Sequence, residues 1–149
     1  MKIYLGADHA GFDTKEKIRK FLEKREISYE DFSNINKKEE DDYPDYAFKV
    51  AEKVVKNKGS RGILICGTGT GMVIAANKVR GVRAACAYDN YSAKMAKKDN
   101  DVNVLCLRGR KFSSSKAVRI IDLWLKEEFS GKPRHKRRID KISKYEKKR

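Results

Sequence analysis

The most constraining feature of the chain is an apolar run that leads directly into a glycine-rich turn. Residues 62–66 read Gly-Ile-Leu-Ile-Cys, and residues 67–71 read Gly-Thr-Gly-Thr-Gly. A continuous apolar run of this length suits a strand that is covered on both faces. The glycines allow a tight turn whose backbone N–H groups converge on a small anion-binding concavity. The segment therefore predicts a strand, an anion-binding loop and a helix in succession.

Comparable units recur along the chain. Strand-like apolar runs lie at 2–7, 27–32, 82–87 and 102–107, and they alternate with segments such as 47–55 in which apolar residues recur at helical spacing. Five strands alternating with helices predict an α/β fold. We expect a three-layer doubly wound sandwich around a five-stranded parallel sheet, Rossmann or flavodoxin-like in type and flavodoxin-like in strand order.

The positive charge is concentrated at the C-terminal end. The 149 residues carry a formal net charge of +15, and residues 132–149 contain ten lysines or arginines and two acids. We predict one α/β domain over 1–131, followed by a basic helical tail over 132–149. The mixed-charge run at 37–42 predicts a solvated loop rather than a binding face.

Composition excludes several classes of protein. No apolar run reaches membrane-spanning length, and the first residues do not form a signal peptide. Three cysteines without a Cys-x-x-Cys pair argue against a disulfide framework and a zinc ribbon. The two histidines, His9 and His135, form no ligand pair at recognised spacing. We expect a cytoplasmic protein that has no metal and no membrane partner.

Polar residues stand where the predicted strands end. In parallel α/β sheets ligands bind beyond the carboxyl ends of the strands, which here carry Asp8, His9, residues 66–71, Asp89 and residues 108–110. The turn departs from the dinucleotide-binding fingerprint because methionine occupies position 72. The acid at position 89 nevertheless leaves a nucleotide-binding alternative open. A further alternative is that the glycines serve only to let the helix pack closely against the strand.

Two further features permit more than one interpretation. Cys66 lies before a helix N-terminus, which favours an ionised thiol able to take a proton, whereas a buried structural role is as plausible from composition. We interpret Cys86 and Cys106 as structural. The tail places Arg134 and Arg138 around His135, which suits a phosphate, a solvated tail or RNA. The tail contains one aromatic residue, so RNA is disfavoured and we expect no nucleic-acid partner.

Six segments together resemble the ribose-5-phosphate isomerase B family of sugar-phosphate isomerases, in the right order and over almost the whole chain. They are Asp-His-Ala-Gly-Phe at 8–12, Asp-Tyr-Pro at 42–44, the strand and turn at 62–71, Ala-Ala-Asn-Lys at 75–78, Asn-Asp-Val-Asn-Val-Leu at 100–105, and Arg-His-x-x-Arg at 134–138. The strand and turn followed by Ala-Ala-Asn-Lys is the most specific of these signals.

The resemblance implies a function and an assembly. It implies an aldose-ketose isomerase of the non-oxidative pentose phosphate pathway, which interconverts ribose 5-phosphate and ribulose 5-phosphate through an enediolate without a cofactor. It also implies a homodimer, or a tetramer built from two such dimers, in which the basic tail reaches the pocket of the partner. A hexose 6-phosphate isomerase acting on galactose or allose 6-phosphate is the near alternative, and a basic nucleotide-binding or RNA-binding module is the distant one.

The resemblance also implies roles for individual residues. Cys66 would move the carbon-bound proton, and the Thr68 hydroxyl with the turn amides would stabilise the enediolate. The implied turn residues are Gly67, Gly69, Thr70 and Gly71. Those implied to hold sugar hydroxyls are Asp8, Tyr43 and Asn100, and those implied to hold the phosphate are His9, Arg110, Arg134 and Arg138.

Two positions depart from the family pattern. Most members have a histidine before Asn100, where it acts in opening the sugar ring, and this chain has Asp99. We expect Asp99 to replace that histidine as a base with a raised pKa, or the substrate to differ from a pentose phosphate. Pro133 stands near a position where another glycine is expected, and it would stiffen the entry to the tail.

Overall fold

The computed structural model describes residues 1–33 and 41–148 as a five-stranded parallel sheet with helices on both faces. The strands are β1 (Ile3–Ala7), β2 (Tyr29–Asp31), β3 (Arg61–Cys66), β4 (Ala84–Cys86) and β5 (Val104–Arg108). The helices are α1 (Phe12–Lys24), α2 (Tyr43–Lys56), α3 (Thr70–Ala76), α4 (Asn90–Asn100), α5 (Ser114–Lys126) and α6 (Pro133–Glu146). The predicted α/β class and parallel sheet are confirmed. Most of the predicted loop at 37–42 lies outside the described residues.

The strand order is β2-β1-β3-β5-β4, so the last two strands are exchanged relative to the flavodoxin order that we expected. Strand β5 pairs with β3 from Gly62↔Val104 to Cys66↔Arg108. The burial of the two strands agrees with their exchanged places. Strand β5 is buried over four of its five residues, whereas all three residues of β4 are only half-buried. The longer, more completely apolar strand takes the interior of the sheet, and the short strand takes the edge.

The helices divide between the two faces of the sheet. Helices α1, α4 and α5 cover one face, and α2 and α3 cover the other. Alternate residues of β3 face opposite layers, so that Ile63 and Ile65 pack with α1 and α5 while Leu64 and Cys66 pack with α2 and α3. This alternation places the sulfur of Cys66 on the same side of the sheet as α3, the helix that follows the glycine turn. Within the described ranges, no helix has both the length and the apolar character needed to cross a membrane.

The free edge of the sheet at β4 is covered by a side-chain amide. Asn77 follows α3, and its Nδ2 donates to the carbonyl oxygen of Ala84 at 2.9 Å. The backbone N–H of Ala84 donates in return to Oδ1 of Asn77 at 2.8 Å. The two outward-facing backbone groups of Ala84 are therefore both satisfied without a further strand.

The basic tail forms α6 and packs against α4 of the same chain. Pro133 begins the helix, where the missing N–H of proline costs no intrahelical hydrogen bond. The loop before α6 is attached to α4 because the N–H of Ser130 donates to the carbonyl of Lys98 at 2.9 Å. At the far end, the N–H of Gly81 donates to the carboxylate of Glu146 at 3.0 and 3.1 Å. Both ends of α6 are thus fixed to the body of the chain.

Candidate active site

A cleft of about 460 Å³ opens where β1 and β3 end. Its position beyond the carboxyl ends of parallel strands is the one that the sequence predicted. It brings together most of the predicted site residues: Asp8, His9, Tyr43, Cys66, Gly67, Thr68, Thr70, Gly71 and Arg110. Gly69 lies in the same turn and is itself buried. The polar ends of two strands and the glycine turn therefore share one concavity.

The thiol of Cys66 lies at the inner end of this cleft. The residue is 4% exposed, yet it lines the cavity together with the turn that follows it. The backbone N–H of Gly69 donates to the Cys66 sulfur at 3.1 Å. A sulfur that accepts an amide hydrogen bond beside an open cavity is well placed to exchange a proton with a bound molecule. Cys66 is therefore not sealed inside the apolar core.

Two glycines of the turn are required by close contacts. Gly69 has a φ of +84°, and a Cβ there would lie 2.7 Å from the sulfur of Cys86 and 3.0 Å from the backbone of Leu107. A Cβ on Gly71 would lie 2.6 Å from the ring of Tyr43. Close packing thus explains the glycines at 69 and 71, and the same packing holds the turn amides beside the cleft.

Hydroxyl groups and a guanidinium complete the turn side of the cleft. The Thr68 and Thr70 hydroxyl oxygens lie 2.7 Å apart, and the N–H of Thr70 donates to the Thr68 hydroxyl at 3.4 Å. The backbone N–H of Arg110 donates to the carbonyl of Gly67 at 3.2 Å. A Cβ on Gly67 would lie 3.3 Å from Nη1 of Arg110, so the guanidinium lies against the turn. This side of the cleft carries hydrogen-bond donors and one positive charge.

The opposite side begins with Asp8, which follows β1 directly. Its side chain is buried, and Oδ1 accepts the N–H of Gly11 at 3.0 Å. Burial raises the pKa of the Asp8 carboxyl, because removal from water disfavours the charged form, and the Gly11 hydrogen bond opposes the shift only in part. A buried carboxyl that lines a polar cleft is suited to bind hydroxyl groups.

Asp41 holds His9 in place, a contact that the sequence did not reveal. Oδ1 of Asp41 accepts the backbone N–H of His9 at 3.0 Å and lies 2.8 Å from Nδ1 of the His9 ring. Tyr46 also contacts Asp41. Burial raises the pKa of Tyr46 to about 12, and its hydrogen bond to the Asp41 carboxylate adds to the increase. Because Nδ1 is bound to Asp41, the Nε2 edge of the imidazole is the edge left for a ligand.

The interpretation of 37–42 as a solvated loop is therefore wrong for Asp41. This residue lines the cleft, and its side chain is 12% exposed. The physical reason is that α2 begins at Tyr43, so the residues just before α2 pass over the end of β1. The Asp-Tyr-Pro helix start was the available signal, but nothing in the composition separates Asp41 from the other acids of the same run.

Asp8, His9 and Asp41 also satisfy a minimal geometric requirement for a metal site, since one ligand atom of each lies within 4.8 Å of the others. Hydrogen bonds account for this proximity without an ion. The Nδ1 of His9 is bound to the Asp41 carboxylate, and Asp8 is bound to Gly11. The expectation of a metal-free site stays a prediction.

Four predicted site residues lie outside the cleft, and we call them the α4–α6 cluster: Asp99, Asn100, Arg134 and Arg138. Asp99 and Asn100 end α4, and the two arginines are exposed on α6. Oδ1 of Asp99 lies 3.6 Å from Nδ1 of His135. Asn100 lines a separate hollow of about 230 Å³, and its carbonyl accepts Nε of Arg83 at 3.1 Å. A single chain therefore forms two groups of predicted site residues.

The remaining sequence candidates have structural roles. The Asp89 carboxylate accepts the N–H of Ser92 at 2.7 Å and caps α4, a structural role that accounts for this acid without a nucleotide. Cys106 is fully buried, and burial raises its pKa well above the ordinary value. Cys86 is half-buried, and burial likewise raises its pKa. Of the three cysteines, Cys66 is the one whose thiol lines the cleft.

Comparison with known proteins identifies the family. The sequence profile of the Ribose/Galactose Isomerase family matches residues 3–142. The chain belongs to this family. It is 46% identical over 148 residues to the putative sugar phosphate isomerase YwlF of Bacillus subtilis, with 99% of each chain covered.

Solved structures of family members have the same fold. The ribose-5-phosphate isomerase B of Clostridium thermocellum is 47% identical, superposes with a TM-score of 0.95, and is matched over 99% of each chain. The ribose-5-phosphate isomerase B of Mycoplasma genitalium, solved with bound ribulose 5-phosphate, is 44% identical with a TM-score of 0.95. That match covers 99% of this chain and 97% of the other.

Proposed function

We propose that this member of the Ribose/Galactose Isomerase family interconverts ribose 5-phosphate and ribulose 5-phosphate through an enediolate. The observation that carries the proposal is the position of the Cys66 sulfur in an open cleft, 3.1 Å from the amide nitrogen of Gly69. A proton-transfer group and a set of backbone donors are the two components that an enediolate reaction needs. The Mycoplasma genitalium relative with bound ribulose 5-phosphate supports the choice of substrate.

The proposed reaction moves one carbon-bound proton. The Cys66 thiolate removes the proton from C2 of the open-chain aldose, and the electrons move onto the aldehyde oxygen to give the enediolate. The thiol then returns the proton to C1, while the hydroxyl proton on O2 transfers to O1. Amide and hydroxyl donors of the turn stabilise the negative oxygen, and one such donor typically contributes about 3 to 4 kcal/mol in the transition state.

Different residues of the cleft are suited to different parts of the sugar phosphate. Asp8 and Tyr43 would bind sugar hydroxyls, and both line the cavity. His9 and Arg110 would contact the phosphate, the first oriented by Asp41 and the second placed against Gly67. Arg110 presents a planar fork of N–H groups that matches phosphate oxygens.

We further propose a cytoplasmic homodimer in which the α4–α6 cluster of one copy completes the cleft of the other. Two observations support this arrangement. The cluster carries two exposed arginines that contribute nothing to the cleft of their own chain. Exposed apolar side chains also surround the carboxyl end of the sheet, including Ile74 at 62% and Tyr91 at 74% exposure. A second copy would bury these side chains and bring the arginines to the phosphate.

The decisive test is a panel of phosphorylated aldoses with the purified chain in the presence of EDTA. We expect turnover of ribose 5-phosphate that the chelator does not reduce. Faster turnover of allose or galactose 6-phosphate would replace the pentose with a hexose and leave the proton transfer in place. Absence of turnover on every sugar phosphate, together with salt-dependent binding of RNA that is lost on removal of 132–149, would favour the binding-module alternative.

A further inference from the structure

A continuous chain of hydrogen bonds connects the end of α4 to the guanidinium of Arg134. The N–H of Ser130 donates to the carbonyl of Lys98 at 2.9 Å, and the Ser130 hydroxyl lies 2.6 Å from Nδ1 of His135. Nε of Arg134 donates to Nε2 of the same ring at 3.1 Å. His135 is 3% exposed and is the buried residue of α6. A buried imidazole therefore stands between the body of the chain and an exposed arginine.

The direction of the hydrogen bond from Arg134 assigns the tautomer of the His135 ring. An arginine side chain can only donate hydrogen bonds, so Nε2 must be the unprotonated nitrogen that accepts. The proton of the neutral ring is therefore on Nδ1, which donates to the Ser130 hydroxyl. The Asp99 carboxylate, at 3.6 Å from Nδ1, lies too far away to compete for this hydrogen bond.

The bond to His135 fixes the direction of the arginine fork. With Nε–H donated to the ring, the guanidinium plane is held and the two terminal amino groups remain for an anion. An exposed arginine that is not fixed would lose rotamer freedom when it binds a phosphate, and this loss weakens binding. We propose that His135 is a positioning residue that orients Arg134 for the substrate phosphate, an inference that rests on the phosphate-binding role of Arg134 in the proposed function.

The test measures phosphate affinity and catalysis separately in full-length variants. Isothermal titration calorimetry with inorganic phosphate gives the affinity without chemistry, and steady-state kinetics on ribose 5-phosphate give KM and kcat. His135→Met fills similar volume without an acceptor, and we expect it to weaken phosphate binding and raise KM about tenfold with little change in kcat. His135→Gln offers an amide oxygen to the arginine, and we expect it to restore most of the affinity.

A double-mutant cycle separates positioning from a general structural effect. Arg134→Ala weakens phosphate binding, and we expect His135→Met to cause no additional loss in that background, because the arginine that it orients is gone. Ile139→Ala is the control, since Ile139 is half-buried on the same helix and has no part in the hydrogen-bond chain. It should lower the melting temperature without changing the affinity for phosphate.

Several outcomes would overturn the inference. One is a phosphate affinity that does not change in Arg134→Ala or in His135→Met. The others are losses of affinity that add in the double variant, and a folded His135→Gln variant that recovers no affinity. The binding measurements also distinguish this inference from the proposed function. If phosphate binding follows the expected pattern while no sugar phosphate is isomerised, the positioning role stands and the proposed reaction falls.

Discussion

The cleft and the α4–α6 cluster are built in opposite ways. The cleft is formed by strand ends and by a turn in which Gly69 and Gly71 are held by contacts that leave no space for a side chain. The cluster consists mainly of long or exposed side chains on two helices, with Arg134 held by one buried ring. The difference indicates a division of labour. In the proposed function, proton transfer would use the rigid backbone geometry of the cleft, whereas part of the phosphate binding would come from side chains of the cluster.

The largest expected effect lies at the centre of the cleft. Cys66→Ala removes the proposed proton-transfer group, and kcat should fall on the order of 10³-fold with KM little changed. Steady-state kinetics on ribose 5-phosphate measure both kcat and KM. Cys86→Ala is the matched control, because Cys86 packs against the same turn without lining the cleft. Similar losses in both variants would assign the effect to packing and remove the proposed base.

The second prediction tests whether the two regions meet across a dimer. A Cys66→Ala chain and an Arg134→Ala chain are each expected to be poorly active alone, and mixed refolding should restore activity. The reason is that a symmetric heterodimer would contain one site built from the intact cleft of one chain and the intact cluster of the other. Mixing Cys66→Ala with the double variant that lacks both residues provides the control and should restore nothing. Activity in the first mixture no higher than that of Arg134→Ala alone would show that the two regions do not meet across a dimer.

Substitution of Asp99 should cause the next largest loss of turnover, and this variant distinguishes ring opening from proton transfer. Asp99→Asn removes the carboxylate that would accept the anomeric proton, so turnover of ribose 5-phosphate should fall about 10²-fold. Turnover of ribulose 5-phosphate should change far less, because its 5-hydroxyl is phosphorylated and it cannot close into a furanose ring. Asp140→Asn, an exposed acid on α6, is the control. Unchanged turnover of ribose 5-phosphate in Asp99→Asn would rule out this role for Asp99.

The smallest effect concerns stability rather than rate. Burial raises the pKa of Asp8, so the folded protein binds its proton more tightly than the unfolded chain does. The charged carboxyl therefore destabilises the fold at neutral pH, and the penalty disappears as pH falls below the unfolded pKa of about 3.9. Asp8→Asn keeps an oxygen for the Gly11 N–H, and it should stabilise the protein by about 1 kcal/mol at pH 7 while impairing turnover.

Urea denaturation between pH 7 and pH 3 measures this difference. The gain of Asp8→Asn over the parent should be constant while Asp8 is ionised in both the folded and the unfolded protein, and it should shrink as acid protonates the folded one. A variant that is less stable than its parent at pH 7 would show that the ionised carboxylate stabilises the fold, and the stated sign would then be wrong.

The sequence was sufficient to predict the cleft because its parts are local. An apolar run, a glycine turn and a following helix adjoin along the chain, and the rule for parallel sheets places strand ends together. The exchange of β4 and β5 could not be predicted in the same way, since both runs are apolar and neither shows in its sequence which strand it pairs with. Asp41 was missed because its function depends on the path of a loop over β1.

The α4–α6 cluster shows the limit of reasoning from a motif. Resemblance to a family identified these residues, but spacing along the chain gives no distance between separate helices. The burial of His135 was also invisible, because it lies in a segment where almost every neighbour is charged. Only the packing of the loop before α6 against α4 reveals that this ring is enclosed.

The pairing of Asn77 with Ala84 has a consequence for how copies of the chain can associate. A primary amide presents one donor and one acceptor side by side, as a peptide group does, so it imitates a sixth strand one residue long. An exposed β edge invites another molecule to continue the sheet, and this imitation occupies the place where such growth would start. Association at the β4 edge would consequently use side chains on helices and loops rather than a continuation of the sheet at Ala84.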